Sequence, residues 1–182
     1  MTTDGSQRAS AAALQVARAP DGAWELHSRT PCAALRGVVR DYQGYRESAA
    51  QPILRRELPH GGVVLIVNFG ARWHVSVPRP GHAASSFGSF VAGIDDFASV
   101  VGAAGPAHCL QVNLTPLGAR RFFGIGMQTL ARRVVGFDEV LGRDADRLAD
   151  RLFQAPDWRM RFDIVEGMIA SRLAEAAAVP PG

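Results

Sequence analysis

The chain has 182 residues, of which 47% are hydrophobic and 20% charged, and its formal net charge is +3. This length suits one domain, or one domain with a helical appendage, and the composition is that of an ordinary globular protein. All 20 basic residues are arginine, and they are spread along the chain among 17 acidic residues. A DNA-binding surface needs a dense local basic patch, so we expect no direct contact with nucleic acid.

The N-terminal residues and the two cysteines predict a cytoplasmic protein. Arg8, Gln15 and Arg18 interrupt the apolar residues near the N-terminus, so these do not form the core of a signal peptide. No stretch approaches the roughly 18 apolar residues that a membrane span requires. Cys32 and Cys109 lie far apart and outside any Cys/His cluster, which is typical of buried thiols in the cytosol.

Residues 31–114 have the composition of strands and turns, because short runs rich in Val, Ile, Phe and Trp alternate with Gly and Pro. Their spacing favours an antiparallel sandwich or small barrel. We expect residues 1–30 to form a partly flexible N-terminal segment, and Pro78–Ser86 to form a mobile loop. The predicted strands are Leu35–Tyr42, Ile53–Leu58, Val63–Asn68, Arg72–Val77, Ser89–Ile94, Ala98–Val101 and His108–Leu114.

Residues 115–182 carry helical signals. Thr115 is a natural N-cap before Pro116, and Gly124 is able to end that helix with a positive φ. Further on, Asp138 is predicted to cap a single helical turn that Gly142 ends. The chain is therefore predicted to be of the α+β class, with an antiparallel barrel or sandwich followed by a C-terminal helical connector.

Two longer helices are predicted at the C-terminal end. Arg143–Gln154 places small and apolar residues on one stripe at helical spacing, and Pro156 and Asp157 open the last helix. We expect the first part of this helix to pack on the barrel, while Ile169 and Leu173 project further and meet a partner helix in a homodimer. The apolar ridge of this connector helix consists of Trp158, Phe162, Val165, Ile169 and Leu173.

A ligand pocket is predicted on one face of the strands, with aromatic surface and a few polar anchors. Taken singly, Trp73 and Phe90 each fit better as residues that simply fill the barrel core. Trp73 and His74 are adjacent in a strand, so both cannot point inward. The candidate pocket residues are Asn68, Arg72, Trp73, His74, Phe90, Gln111 and Asn113.

The sequence lacks the motifs of common enzyme classes. It has no GxSxG nucleophile elbow and no phosphate-binding loop, and the carboxylates of its β half form no catalytic pair at strand or helix spacing. The five histidines stand apart, without the HxH pair of a cupin-type metal site. We expect no catalytic residue, no metal and no cofactor. A metalloenzyme built on His74 and His108 from neighbouring strands stays open as an alternative.

The sequence QVNLTPLGARRFFG, from Gln111 to Gly124, resembles the junction between the sensor barrel and the helices in a group of AraC-type transcription regulators common in actinobacteria. The likeness covers roughly residues 30–175. Its Leu-Thr-Pro-Leu-Gly-Ala-Arg core is fairly specific, whereas each of the other parts alone is weak. Those other parts are Leu58-Pro59 with the following Val63–Gly70, Ser89–Gly93, Phe137–Gly142, Arg147-Leu148 with Leu152, and Trp158–Asp163.

The resemblance implies a cupin-like barrel that senses a small molecule or serves as a scaffold, followed by helices that often dimerise. In that family about a hundred further residues form two helix-turn-helix motifs that bind DNA. No segment up to Gly182 supplies them. The sequence thus predicts the ligand-sensing or dimerisation domain of such a regulator, with no enzymatic activity and an unidentified effector. A free-standing binding protein that dimerises with a full-length regulator stays open as a second alternative.

Overall fold

The computed structural model describes residues 13–19, 22–49, 51–79 and 83–178, which form eleven strands, a short 3₁₀-helix and five α-helices. The strands are β1 (Ala13–Ala19), β2 (Gly22–Arg29), β3 (Val39–Ala49), β4 (Ile53–Glu57), β5 (Val63–Asn68), β6 (Trp73–Ser76), β7 (Ser85–Phe87), β8 (Phe90–Ala92), β9 (Ser99–Ala103), β10 (Ala107–Leu114) and β11 (Val134–Gly136). The helices are α1 (Pro116–Phe123), α2 (Met127–Leu130), α3 (Phe137–Leu141), α4 (Arg143–Gln154) and α5 (Trp158–Ala178), and Ala33–Leu35 form the 3₁₀-helix.

The strands form two antiparallel sheets that face each other. One sheet has seven strands in the order β1-β2-β3-β10-β5-β8-β11, and the other has four in the order β4-β9-β6-β7. Side chains from both sheets meet in a small core, in which Ile66 and Phe90 of the first pack with Trp73 and Val75 of the second. The predicted α+β class, with an antiparallel sandwich or barrel followed by helices, is confirmed.

Strand alternation divides the seven-stranded sheet into two faces, because successive side chains of a strand point to opposite sides. In β10, Leu110, Val112 and Leu114 are fully buried on the face that the helices cover. Gln111 and Asn113 point to the other face, toward the four-stranded sheet. The alternation of β10 thus puts an apolar surface under the helices and polar groups between the sheets.

Helix α5 lies across β2, β3 and β10 on the outer face of the large sheet. The Trp158 ring is 5.3 Å from the His27 ring and 5.4 Å from the His108 ring, and the Phe162 ring is 6.1 Å from the Tyr42 ring. Gly44 lies below the Trp158 indole, and a Cβ atom at Gly44 would be only 2.3 Å from Trp158 Cε3. A side chain at position 44 would therefore displace the helix.

A buried ionic cluster fixes the middle of α5 to the end of β2. Glu166 is buried, and its carboxylate accepts hydrogen bonds from Arg29 Nη2 at 2.6 Å and from the Cys32 amide at 2.7 Å. Arg29 Nη1 also donates to Asp163 at 2.5 Å. These hydrogen bonds replace those that the Glu166 carboxylate would make with water, and a buried carboxylate needs such partners to remain charged.

The ridge of α5 packs entirely within the chain. Trp158, Phe162, Val165, Ile169 and Leu173 are at most 9% exposed. Ile169 and Leu173 therefore do not project to a partner helix, contrary to expectation, because α1 and α4 lie against α5 and cover them.

Among the helices that the structure describes, none combines the length and the apolar character needed to cross a membrane.

The predicted start and end of α1 are confirmed. The Gly118 amide donates to Thr115 Oγ1 at 3.0 Å, and Gly124 ends the helix with φ 72°. The bounds predicted for α4 are confirmed as well. Asp138 is not the N-cap of α3, because this helix already begins at Phe137 and its N-cap is Gly136. The Gly136 amide donates to the Glu139 carboxylate at 2.7 Å.

Three segments differ from the predicted organisation. Within residues 1–30, β1 and β2 form a hairpin at the edge of the large sheet, while residues 1–12 and 20–21 lie outside the described residues. Strand β7 lies partly inside the predicted loop Pro78–Ser86, whose residues 80–82 are also outside them. Strand β11 lies in the helical half and pairs with β8. The β-sheet therefore extends to both sides of the predicted boundaries at 31 and 114.

Candidate ligand-binding cavity

A cavity of about 610 Å³ lies between the two sheets. Its closed end is formed by buried residues, among them Trp73, Phe90 and Cys109. Its open end is lined by exposed residues of the loops and strand ends, which define the mouth of the cavity. Cavities of roughly 300–1,000 Å³ hold small organic molecules. The mouth residues are Arg40, Glu57, Leu58, Pro59, His60, Phe97 and Arg133.

Most of the cavity wall is apolar and aromatic. Phe90 is buried against Phe87 with the ring centroids 5.6 Å apart. The buried indole N–H of Trp73 has no hydrogen-bond acceptor among the residues that the structure describes, although buried donors in proteins are nearly always paired. Such a wall favours a ligand with a large apolar part. Its members are Leu26, Ile66, Trp73, Val75, Phe90, Val101 and Val134.

One side of the cavity carries four polar side chains from β3 and β10, called here the polar cluster: Asp41, Gln43, Gln111 and Asn113. Asp41 lies opposite Asn113, and Gln43 opposite Gln111, in the antiparallel pair. The Asp41 Oδ1 atom accepts hydrogen bonds from Asn113 Nδ2 at 2.6 Å and from Gln43 Nε2 at 3.1 Å. Gln111 Nε2 donates to Asn113 Oδ1 at 2.9 Å. The amides thus hold one carboxylate in place at the cavity surface.

A second polar group, further along β3, balances its own charges. Arg55 of β4 donates to the Tyr45 hydroxyl at 2.5 Å and to the Glu47 carboxylate, and Tyr45 donates to Glu47 as well. The Arg55 guanidinium also lies 5.0 Å from the centre of the Tyr45 ring. Burial and the hydrogen bond to Glu47 raise the pKa of Tyr45 to about 12, so the phenol stays protonated at neutral pH.

Ion pairs stabilise the loop beside the mouth. Arg79 binds Asp95, and the Arg79 guanidinium lies 4.8 Å from the centre of the Phe97 ring. Arg132 donates to Asp96 at 2.8 Å. Although burial acts to raise the pKa of Asp95, the Phe97 amide and Arg79 hold it below its ordinary value. The one cavity-lining carboxylate of this loop is thus already neutralised.

Four of the seven predicted pocket residues line the cavity: Trp73, Phe90, Gln111 and Asn113. Trp73 and Phe90 also belong to the core between the sheets, so the two roles weighed for them occur together. Gln111 and Asn113 are half-buried members of the polar cluster.

Asn68, Arg72 and His74 do not line the cavity. Asn68 forms a turn, donating to the Ala71 carbonyl at 2.9 Å and accepting from the Gly70 amide at 3.2 Å. Arg72 is exposed and donates to Ser86. His74 is exposed on the outer face of β6, since its neighbour Trp73 points inward.

The histidine pair considered for a metal is not formed. His74 lies outside the four-stranded sheet, whereas His108 lies on the far face of the other sheet, with its ring 5.1 Å from Phe69 and 5.4 Å from Trp158. Within the described part of the chain, no group of three or more His, Cys, Asp or Glu side chains is placed to hold a metal ion.

The half-buried position of His108 predicts a loss of stability in mild acid. Burial, with the charges of Arg161 and Arg46, lowers the pKa of His108 from 6.5 to about 4. The unfolded chain therefore binds a proton near pH 6.5 that the folded chain refuses until about pH 4, so stability falls as the pH drops through this range. Urea unfolding near pH 7 and near pH 5 measures the loss.

The variant His108→Gln is expected to lose less stability than the wild type between these two pH values. The matched variant His74→Gln changes an exposed histidine and is expected to retain the wild-type loss. An identical pH dependence in His108→Gln and the wild type would contradict this origin of the effect.

Sequence reasoning missed several polar residues of the cavity. Asp41 and Gln43 lie in β3, where the odd-numbered side chains face the cavity, and Tyr45 continues the same face. Arg55 of β4 reaches the cavity from the opposite sheet. The alternation of polar and apolar residues from Asp41 to Tyr45 was the available signal, but it does not tell which face is enclosed.

Comparison with known families identifies the chain at the level of its family. The model of a family described as a domain of unknown function, DUF6597, matches residues 27–136, more than half of the chain. The chain belongs to the DUF6597 family. The DUF6597 match extends from within β2 to the last residue of β11, so it includes the four-stranded sheet and all of the seven-stranded sheet except β1 and the first part of β2. No curated protein matches the sequence.

Solved structures similar to this DUF6597 protein include an AraC-like transcriptional activator, HppE and a cupin superfamily protein. The AraC-like transcriptional activator CuxR is 12% identical, with a TM-score of 0.46 over 94% of this chain and 63% of CuxR. The Fe(II) form of HppE is 8% identical, with a TM-score of 0.43 over 60% of this chain and 62% of HppE. A cupin superfamily protein from Desulfitobacterium hafniense is 11% identical, with a TM-score of 0.29 over 59% of this chain and 81% of that protein. The chain spans less than two thirds of CuxR and HppE, and no property of these proteins is transferred to it at such TM-scores.

Proposed function

We propose that this chain is the ligand-sensing domain of an AraC-type bacterial transcription regulator, and that its effector is a small molecule bound between the two sheets. The cavity is the observation that supports this proposal. It has a volume of about 610 Å³, an apolar aromatic wall and one polar cluster. That combination is typical of sites that enclose a small ligand and fix its orientation by a few polar contacts.

The segment that resembles AraC-type regulators lies at the joint between the sandwich and the helices. Leu114 ends β10, Thr115 caps α1, and the Thr115 hydroxyl donates to the Gly37 carbonyl at 2.7 Å. Gly118 lets α1 approach the Val38 backbone closely, since a Cβ there would be 2.1 Å from the Val38 carbonyl oxygen. The local sequence thus fits a rigid connection between a sensing barrel and its helices.

The chemistry of the cavity favours binding without turnover. Burial raises the pKa of the Cys109 thiol to about 12, so the sulfur is not a thiolate at neutral pH. His60 is exposed at the mouth, and no described hydrogen bond links it to a nucleophile. The Arg55 and Glu47 charges neutralise each other. Among the described lining residues, neither the Cys109 thiol nor the His60 imidazole is therefore paired with a partner for nucleophilic catalysis.

In this proposal the domain dimerises through its helical half, and DNA is bound by a separate helix-turn-helix domain of the regulator. The ridge of α5 is used within the chain, so the dimer contact falls on the outer surface of the helices. Phe153 of α4 and Met160 of α5 are 66% and 46% exposed and supply apolar surface there.

The cavity is tested with Val101→Trp, which places a large side chain among the lining residues of β9. Val100 is the matched control, because it is also half-buried but lies on the other face of the same strand. The neutral dye N-phenyl-1-naphthylamine is the probe, titrated by fluorescence. We expect Val101→Trp to weaken dye binding roughly tenfold or more, about 1.4 kcal/mol, with Val100→Trp equal to the wild type.

Equal binding of the dye by Val101→Trp and the wild type would contradict the cavity as the ligand site. The regulatory part is tested by placing both substitutions in the native gene. RNA sequencing is expected to show altered transcription of the regulated genes for Val101→Trp and none for Val100→Trp. Unchanged transcription in both strains would contradict a sensing role.

A further inference from the structure

The carboxylate of Asp41 has no counterion in the part of the chain that the structure describes. Its Oδ1 atom accepts hydrogen bonds from the amides of Gln43 and Asn113, which are neutral. Among the described residues, no arginine or histidine nitrogen lies within 4.0 Å of it, whereas Glu47, Asp95, Asp163 and Glu166 all have an arginine partner. A half-buried charge held by neutral amides and facing a cavity attracts a cation more strongly than an exposed one.

The other charged residues around the cavity do not provide an unpaired charge inside it. Arg55 pairs with Glu47, and Asp95 pairs with Arg79. The remaining charged lining residues, Arg40, Glu57 and Arg133, are exposed at the mouth, where water and salt screen them. Of the described residues that line the interior of the cavity, only Asp41 thus carries an unbalanced charge, and it is negative.

Hydrogen-bond acceptors surround this charge. The second oxygen of Asp41 and the side-chain amide oxygens of Gln43 and Gln111 accept no hydrogen bond from the described part of the chain. A primary ammonium group has three N–H donors and no acceptor, which matches three such oxygens. Within the described residues, each of the three amide groups of the polar cluster also keeps one free N–H, but the negative charge of Asp41 repels an anion at the same place.

The apolar wall continues from the polar cluster toward the closed end. Along β10, Cys109 lies four residues deeper than Asn113, which is roughly 13 Å in an antiparallel strand. Over that length the cavity is lined by Phe90, Val75 and Trp73, which are at most 6% exposed. A ligand therefore has space for an extended apolar body below a polar head.

We propose that the cavity binds an amphipathic primary amine, whose ammonium group is held by Asp41, Gln43 and Gln111 and whose apolar body lies against Phe90, Val75 and Trp73. The inference rests on the proposed function, since it takes the cavity as the effector site. It adds the chemical class of the effector and the orientation in which it is bound, with the head toward the mouth.

Three probes with similar eight-carbon alkyl chains and different head groups test the charge of the ligand head: n-octylammonium, 1-octanol and octanoate. Each is titrated against the whole protein by displacement of N-phenyl-1-naphthylamine. We expect the wild type to bind octylammonium roughly tenfold or more tightly than octanol, and octanoate most weakly, because hydrogen bonds to charged groups are the stronger ones. Asp41→Asn keeps the oxygen that accepts from Asn113 and removes the charge, so octylammonium and octanol are expected to bind it equally. Glu57→Gln removes a mouth carboxylate and is expected to retain the wild-type preference.

The outcomes separate this inference from the proposed function. If octanol or octanoate bound as tightly as octylammonium, the proposal of a primary amine ligand would be overturned, while the cavity would still be a ligand site. Loss of the preference in Glu57→Gln but not in Asp41→Asn would overturn the placement of the head at Asp41. Failure of the dye and all three probes to bind would contradict the proposed function itself. Comparing the three head groups on the wild type shows which head-group charge the cavity prefers, without the use of any variant. Binding of octanol to Asp41→Asn shows whether this variant keeps an intact cavity.

Discussion

Replacing Phe162 with alanine is expected to lower the free energy of unfolding by about 3–5 kcal/mol. The Phe162 side chain is 0% exposed, and its ring lies 6.1 Å from both the Tyr42 and Trp158 rings. Removing it leaves a cavity between α5 and β3, which the rigid sheet is unable to close. Urea unfolding followed by circular dichroism measures the loss.

Leu54→Ala is the matched control, because this large apolar side chain lies on β4, away from the helices, and is 74% exposed. It is expected to change the unfolding free energy by no more than about 0.5 kcal/mol. Similar losses in the two variants would contradict the packing of α5 on the large sheet.

Arg29→Met is expected to destabilise the fold by roughly 3 kcal/mol, since removing one partner leaves the other charge buried and unpaired. Arg29 holds Glu166 at 2.6 Å and Asp163 at 2.5 Å, and the side chains of Arg29 and Glu166 are only 14% and 11% exposed. Methionine keeps much of the volume, so the measured loss reports the charge. Guanidinium is unsuitable because it screens ion pairs, and urea unfolding is used instead.

Arg147→Met serves as the control for this variant. Arg147 lies 3.7 Å from Asp144 in an exposed pair, with 77% of its side chain accessible. Pairs of this kind contribute about 0–1 kcal/mol. A loss in Arg29→Met no larger than in Arg147→Met would show that the cluster around Glu166 does not hold the helix.

Local signals sufficed for much of the fold. The N-cap at Thr115, the positive φ of Gly124 and the apolar stripe of Arg143–Gln154 are properties of a few neighbouring residues, and the structure agrees with each. The runs that became β5 and β10 were recognisable because buried strands are rich in branched side chains. Here the sequence and the tertiary structure favour the same local conformation.

Other elements depend on partners distant in sequence. β2 contains Glu25, His27 and Arg29, which look like a solvent-exposed segment until α5 covers that face. β7 and β11 have three residues each, too few for a visible pattern, and they exist because β6 and β8 offer free edges. Such strands follow from the sheet and not from their own sequence.

The candidate site shows the same division. Trp73 and Phe90 were predictable as large side chains in alternating strands, and Gln111 and Asn113 as the polar face of β10. His74 was predicted alongside its neighbour Trp73, because the sequence alone does not tell which face of a strand is enclosed. Asp41 and Gln43 were missed since their role depends on enclosure by the second sheet. The burial of Ile169 and Leu173 was missed for the same reason, because it depends on the packing of α1 and α4 against α5.

Strand β3 serves two surfaces at once, with Asp41, Gln43 and Tyr45 toward the cavity and Tyr42 and Gly44 toward α5. Inserting or deleting one residue near its start would exchange these two sets, placing a carboxylate under Phe162 and a glycine in the cavity. Point substitutions do not shift this parity. The fold is therefore able to change the shape and charge of its cavity one side chain at a time, while the surface that anchors its longest helix stays the same.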